Sequence, residues 1–275
     1  MTVREITDRL SAHGIEAADW EALLLAAHYT GKSIAYWRAD KDTNIASTDL
    51  HEAVTKRCDR VPLQYILGTW EFMGLSFRVR EGCLIPRADT EILCEKAIEL
   101  LQKMSHPAHV LDLCTGSGCI LASVLHYTKD ATGTAVELSP DALVIAKENF
   151  DALHMSDRIR LLPGDIREDV LAMDDRYDLI LSNPPYVTKD EMDTLEPELS
   201  HEPAMALTDG ANGLTLYQAI FENYLPHLQP DGKLLLEHGD KQADAVLTMG
   251  KAYGLAGTVL YDYGGKPRCT MLWRG

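Results

Sequence analysis

Asn183-Pro184-Pro185-Tyr186 is the stretch whose residue types and spacing point most directly to chemistry. It follows Tyr177-Asp178-Leu179-Ile180-Leu181-Ser182, a short apolar run that reads as a buried strand. Proline fixes its own φ, lacks an N–H and pushes the preceding residue toward extended geometry. Two in succession stiffen the loop just beyond the strand's carboxyl end, the place where open α/β sheets bind ligands. Asn-Pro alone is a common turn signal. The second proline, the tyrosine and a glycine loop upstream carry the functional reading.

That loop is Cys114-Thr115-Gly116-Ser117-Gly118. It joins the strand-like Val110-Leu111-Asp112-Leu113 to a helix through Ile120, Leu121 and Val124. A strand, a Gly-x-Gly turn and a helix N-terminus bring backbone close to a ligand. Alone the signal is weak, shared by dinucleotide and S-adenosylmethionine folds. The dinucleotide fingerprint wants a third glycine where this chain has Leu121, which weakens the dinucleotide reading. Glu137, at the end of the next strand, suits the two hydroxyls of a ribose. Asp165, followed by Ile166 at the end of the third strand, suits the adenine edge. Three successive strand ends carrying Gly-Ser-Gly, Glu and Asp make a nucleoside pocket.

The elements that must position these residues alternate strand and helix from residue 108 onward. Strands are predicted at 110–113, 133–138, 159–162, 177–182, 233–237, near 258–261 and near 269–273. Helices fall at 140–153, with Ser139 as cap and Pro140 first, at 214–228 and near 243–253. The alternation implies a mainly parallel sheet with helices on both faces. Residues 1–67 read instead as a small helical domain. Val3, Ile6 and Leu10 fall at helical spacing, and Trp20, Leu23, Leu24 and Ala27 repeat the stripe, with Asp19 as its N-cap. Ser47-Thr48 caps a further helix carrying Leu50 and Val54. Residues 68–88 form a linker, read as a β-hairpin of Phe72–Val79 and Cys83–Ile85 around Arg80-Glu81-Gly82. Asp89 or Thr90 then caps a helix from Ile92 to Met104, opening a domain of residues 89–275.

Composition narrows the classes. The 275 residues are 46% hydrophobic and 25% charged, as expected of a soluble globular chain in a cytoplasmic setting. No apolar run approaches a membrane span, and no signal-peptide core opens the chain. The six cysteines show neither C-x-x-C nor metal spacing and read as reduced thiols. The net charge of −16 opposes unassisted binding to nucleic acid.

Motif for motif, the chain resembles the HemK/PrmC family of S-adenosylmethionine-dependent glutamine methyltransferases acting on class I peptide-chain release factors. The resemblance runs through Val61-Pro62-Leu63-Gln64-Tyr65-Ile66-Leu67-Gly68, Leu84-Ile85-Pro86-Arg87-Ala88-Asp89-Thr90-Glu91 and Asp112-Leu113-Cys114-Thr115-Gly116-Ser117-Gly118. It continues through Asn183-Pro184-Pro185-Tyr186, Glu202-Pro203-Ala204-Met205-Ala206-Leu207, Leu235-Leu236-Glu237-His238-Gly239 and Asp262-Tyr263-Gly264. Asn-Pro-Pro-Tyr alone is shared with N6-adenine DNA methyltransferases. The Ile-Pro-Arg-x-Asp-Thr-Glu stretch with its helical domain is more specific, and argues against the related ribosomal-protein glutamine methyltransferase. Cys114 stands where the family usually has glycine.

The resemblance implies a class I, Rossmann-like S-adenosylmethionine-dependent sheet behind a helical substrate-docking domain. It implies methyl transfer to the side-chain amide of the glutamine in a Gly-Gly-Gln loop, with S-adenosylhomocysteine as product. Cys114, Thr115, Gly116, Ser117, Gly118, Glu137, Asp165, Ile166 and Asn183 would hold the cofactor. The Asn183 side-chain oxygen and the Pro184 carbonyl would accept the amide N–H bonds, with Tyr186 against the amide plane and Pro185 and Arg87 beside the substrate. No metal, DNA or membrane contact is implied. By residue type alone, Arg87 reads as a solvated charge.

Overall fold

A computed structural model describes residues 1–275, which form two compact units. The first comprises Met1–Thr69 together with Glu196–His201; the second comprises Trp70–Leu195 and Glu202–Gly275.

The first unit contains α1 (Val3–Ala12), α2 (Ala18–Thr30), α3 (Ile34–Ala39), α4 (Thr48–Cys58) and α5 (Leu63–Leu67). Val3, Ile6 and Leu10 are buried with Leu23, Leu25, Trp37, Leu50 and Val54. The Ser47 hydroxyl accepts from the Leu50 N–H, capping α4 as its sequence predicts. In α2 the prediction fails in two respects. Ala17 is the N-cap, with Asp19 inside the first turn, and Trp20 is exposed. The helix is apolar on nearly every side, so the i, i+3, i+4 rule has no unique stripe to select.

Arg57 is buried in this unit. Its Nε donates to Glu21 at 2.6 Å and its Nη1 lies 2.9 Å from Glu198. Arg60 reaches the other Glu198 oxygen at 2.8 Å. Residues 196–201 are thereby stitched into helices that lie far away in sequence.

After α5 come β1 (Thr69–Phe72), which runs over the boundary at Trp70, and β2 (Leu75–Arg78). The hairpin exists, but its turn is Met73-Gly74 rather than Arg80-Glu81-Gly82, and Cys83–Ile85 is not a strand. Met73 and Gly74 have φ of +52° and +71°. A tight two-residue hairpin demands positive φ at both central positions. Met-Gly meets that demand without the usual Asn-Gly signature.

After α6 (Glu91–Leu101) come β3 (His109–Leu113), α7 (Cys119–Tyr127), β4 (Thr132–Glu137), α8 (Pro140–Ala152), β5 (Ile159–Pro163) and β6 (Tyr177–Ser182). The short α9 (Ala204–Leu207) and α10 (Thr215–Ala219) lead to β7 (Leu228–Glu237), α11 (Ala243–Ala252), β8 (Leu255–Tyr261) and β9 (Pro267–Arg274). The helix predicted to reach Leu228 stops earlier. It widens into a π turn at Ile220–Tyr224 and tightens at Leu225–His227 around Pro226, so Leu228 begins β7.

The seven strands lie in the order β5-β4-β3-β6-β7-β9-β8, with β9 alone reversed. Successive strand residues alternate between two cores. Leu179, Leu181 and Leu235 pack on one face with α6 and α7; Ile180, Leu234 and Leu236 pack on the other with Tyr217 and Phe221. A parallel sheet covered on both faces explains the near-continuous apolar runs that betrayed the strands in the sequence. From β3 the chain winds outward through β4 and β5, then returns to β6 on the other side. That reversal places the binding crevice at the carboxyl ends of β3, β4 and β6. No helix is long and apolar enough to cross a membrane.

Candidate active site

At the end of β3 the chain turns sharply enough that Cys114, Gly116 and Gly118 have φ of +59°, +56° and +78°. A residue with a Cβ in that region costs about 1–2 kcal/mol, which is the physical reason for expecting glycine at position 114. The Gly116 N–H donates to Glu137 Oε2 and the Ser139 N–H to Oε1, each at 2.8 Å. Burial pushes the Glu137 carboxyl up, and these backbone donors oppose the shift. Each oxygen retains a lone pair for a further donor. Beneath the loop, the Thr115 hydroxyl donates to Asp112 Oδ2 at 2.5 Å. Asp112 is fully buried, which raises its carboxyl to about 7.

A cavity of about 320 Å³ opens over these strand ends, a size suited to a small molecule. Cys114, Thr115, Gly116, Ser117, Glu137, Asp165, Ile166, Asn183, Pro185 and Arg87 all line it. Gly118, Pro184 and Tyr186 do not. Gly118 instead packs: a Cβ there would lie 2.4 Å from the Phe150 ring. Asp165 is already gripped by Arg167, whose backbone N–H and guanidinium both donate to it and hold its carboxyl below the usual range. Arg167 also lines the cavity, a neighbour that the strand-end pattern did not reveal.

Arg87 is half-exposed and ion-paired with Glu202, so it is neither free nor fully solvated. The second Glu202 oxygen accepts the Ile85 N–H at 3.0 Å. One buried carboxylate thus draws residues 85–87 toward Pro203, Met205 and Ala206, and all of these line the cavity.

The motif loop after β6 is held by residues that no local pattern singled out. Asn183 Nδ2 donates to the Thr90 hydroxyl at 3.3 Å. The Tyr186 hydroxyl donates to Glu237 Oε1 at 3.4 Å, and the Tyr186 carbonyl accepts from Gln242 at 2.9 Å. Gln242 reaches the Gly213 carbonyl at 3.3 Å and accepts the Gly239 N–H at 2.9 Å. Glu237 is buried at the end of β7, which raises its carboxyl to about 7. Glu202 and Glu237 lie within stretches that carry the family resemblance, but their partners emerge only from the fold.

The arrangement offers a carboxylate with spare acceptor capacity, a second carboxylate at the neighbouring strand end, and a carboxamide on the loop after β6, all lining one cavity. The chain as a whole is similar to known proteins. Residues 2–68 match the PrmC N-terminal domain and residues 92–212 the methyltransferase small domain. A release factor glutamine methyltransferase from Cereibacter sphaeroides is 40% identical over 97% of this chain and 95% of its own. A second, from Fusobacterium nucleatum, is 41% identical over 76% of this chain, which spans only 59% of that relative. In three dimensions, a methyltransferase from Pyrococcus furiosus superposes with a TM-score of 0.55 at 19% identity, covering 79% of this chain and 97% of that one.

Fold and site together define a class I, Rossmann-like methyltransferase carrying an N-terminal helical domain. Within that class, the chain belongs to the release factor glutamine methyltransferase family.

Proposed function

We propose that this enzyme transfers a methyl group from S-adenosylmethionine to the side-chain amide nitrogen of the glutamine in the Gly-Gly-Gln loop of class I release factors. The observation that carries the proposal is the placement of Asn183 and Glu137 on one cavity, at the ends of β6 and β4 on either side of β3. The residues present fit the cofactor. Glu137 has acceptor capacity for a ribose diol, Asp165 and Ile166 form a further wall, and the turn through Gly116 brings backbone to the cavity. Bound there, the cofactor supplies an electrophilic sulfonium methyl group.

The chain's own contribution is to aim a weak nucleophile. Resonance delocalises the lone pair of an amide nitrogen. The Asn183 side-chain oxygen and the Pro184 carbonyl accept the two amide N–H bonds, raising electron density on nitrogen and fixing its direction. Tyr186 packs by the amide plane. Positioning is then the main catalytic contribution. A methylated, protonated amide sheds its proton readily, so the site requires no strong base. Arg87, held by Glu202, borders the entrance used by the protein substrate.

Glu137→Ala is expected to weaken cofactor binding by about 1.5–3 kcal/mol, the worth of a hydrogen bond to a charged group. Titration calorimetry should show that loss, with a smaller fall in kcat. An unchanged affinity would place the ribose elsewhere.

The helical unit carries no catalytic residue types and is proposed to dock the partner, since a Gly-Gly-Gln tip offers little contact area. With labelled cofactor, whole release factor should be methylated far faster than a Gly-Gly-Gln peptide, and duplex DNA not at all. Labelled DNA with an unlabelled release factor would overturn the proposal in favour of an N6-adenine methyltransferase. Equal rates on factor and peptide would overturn the docking role.

A further inference from the structure

Thr90 occupies the N-cap of α6, yet its hydroxyl makes no bond to that helix. It is buried and turned the other way, accepting from Asn183 Nδ2 at 3.3 Å. It also favours the ionised form of the Glu237 carboxylate, whose Oε2 is buried with no hydrogen-bond partner. Glu237 in turn accepts from the Tyr186 hydroxyl. Tyr186 of the Asn-Pro-Pro-Tyr motif is thus bonded to this buried carboxylate, and Asn183 to the hydroxyl that favours its charge.

A hydroxyl has one proton and an ionised carboxylate has none. When Thr90 donates to Glu237, its remaining lone pairs can only accept, and they accept from the Asn183 N–H. The Asn183 oxygen is left for the cavity that this residue lines. We propose that Thr90 and Glu237 are positioning residues whose hydrogen-bond chain fixes which end of the Asn183 carboxamide faces the substrate amide. The inference rests on the reading of Asn183 as the acceptor of a substrate N–H.

A neutral carboxyl at position 237 reverses the chain. It donates to Thr90, Thr90 donates to the Asn183 oxygen, and the Asn183 N–H bonds turn toward a substrate that also presents N–H bonds. Arg268 from β9 and Asp89 from the turn before α6 are the charges facing Glu237, and they act in opposite directions. The remaining titratable neighbours, Tyr186, Tyr217, Cys94, Cys119 and Cys269, are phenols and thiols pushed up by burial and hence neutral. Glu237 is the member of this set that titrates near 7. Turnover should therefore fall as pH drops through that value.

The test compares Glu237→Gln, Thr90→Val, Thr90→Ser and Asn183→Ala in the full chain, by release-factor methylation and cofactor calorimetry. Glu237→Gln and Thr90→Val should lower kcat at least about tenfold while cofactor affinity stays within about twofold. Thr90→Ser, which restores the hydroxyl, should recover turnover to within about threefold of the parent. The acid limb of the parent's pH profile should be missing in Glu237→Gln. A limb that persists belongs to another group, such as Asp112, and overturns the assignment. Should Glu237→Gln not fold, the Thr90 pair decides: equal losses in Thr90→Val and Thr90→Ser, or parental rates in both, overturn the inference. Asn183→Ala separates the two layers. An active Asn183→Ala removes the acceptor reading itself. An inactive Asn183→Ala beside fully active Thr90→Val and Glu237→Gln removes only the positioning chain.

Discussion

Asn183→Ala should bind cofactor nearly as the parent does and lose most methyl transfer. The lost oxygen acts on the reacting amide, so the penalty falls on the transition state. Removing one oriented polar group from an active site costs about 3 kcal/mol, or roughly two orders of magnitude in kcat. The structure adds a reason for the effect to be clean. The Asn183 side chain donates to the Thr90 hydroxyl at 3.3 Å, so its removal costs that hydroxyl one donor and leaves its proton free to keep its own acceptor. The β6 end and Pro185 should stay in place. Calorimetry with cofactor and a turnover assay check both halves. Near-parental turnover would sink the assigned role.

Gly213→Ala should do comparable damage from outside the cavity. A Cβ at Gly213 would stand 2.2 Å from the Tyr186 carbonyl oxygen, a backbone atom, and 2.7 Å from Gln242 Nε2. The φ of +75° adds strain for any residue with a side chain. Left-handed strain of about 1–3 kcal/mol and overpacking of about 1–3 kcal/mol together predict a destabilisation of roughly 2–6 kcal/mol. Relief requires residues 183–186 to move, so turnover should drop even where the protein remains folded. Thermal denaturation and kcat measured together test this. A variant with parental melting temperature and rate would show that the loop yields freely.

The contrast between these two positions shows what a sequence displays. Asn183 was legible because two prolines and a strand end mark it locally. Glu137 and the glycine turn were legible because regular strand–helix alternation puts every strand end on one edge. Gly213 was not legible, since its constraint is the carbonyl of a residue 27 positions earlier. Thr90 looked like a helix cap, and the pull of Glu237 and Asn183 on its hydroxyl is a tertiary effect. Glu202 and Glu237 resembled family motif residues without a role until their partners appeared. The misplaced hairpin turn and the misjudged face of α2 have one cause. Local signals were weak or redundant there, and packing made the choice.

Glu198 joins Arg57 and Arg60, the Arg60 pair at a sequence separation of 138. The helical unit is therefore a discontinuous domain, with its last segment delivered late in vectorial synthesis. At about 5–20 residues per second, roughly 7–30 s separate the emergence of Arg60 from that of Glu198. Through that interval Arg57 can pair with Glu21, and Arg60 can reach the Gly14 carbonyl. Closure of the N-terminal helices thus waits on a segment made after β3 to β6, so a nascent chain released before residue 196 would carry those helices without their final acceptor.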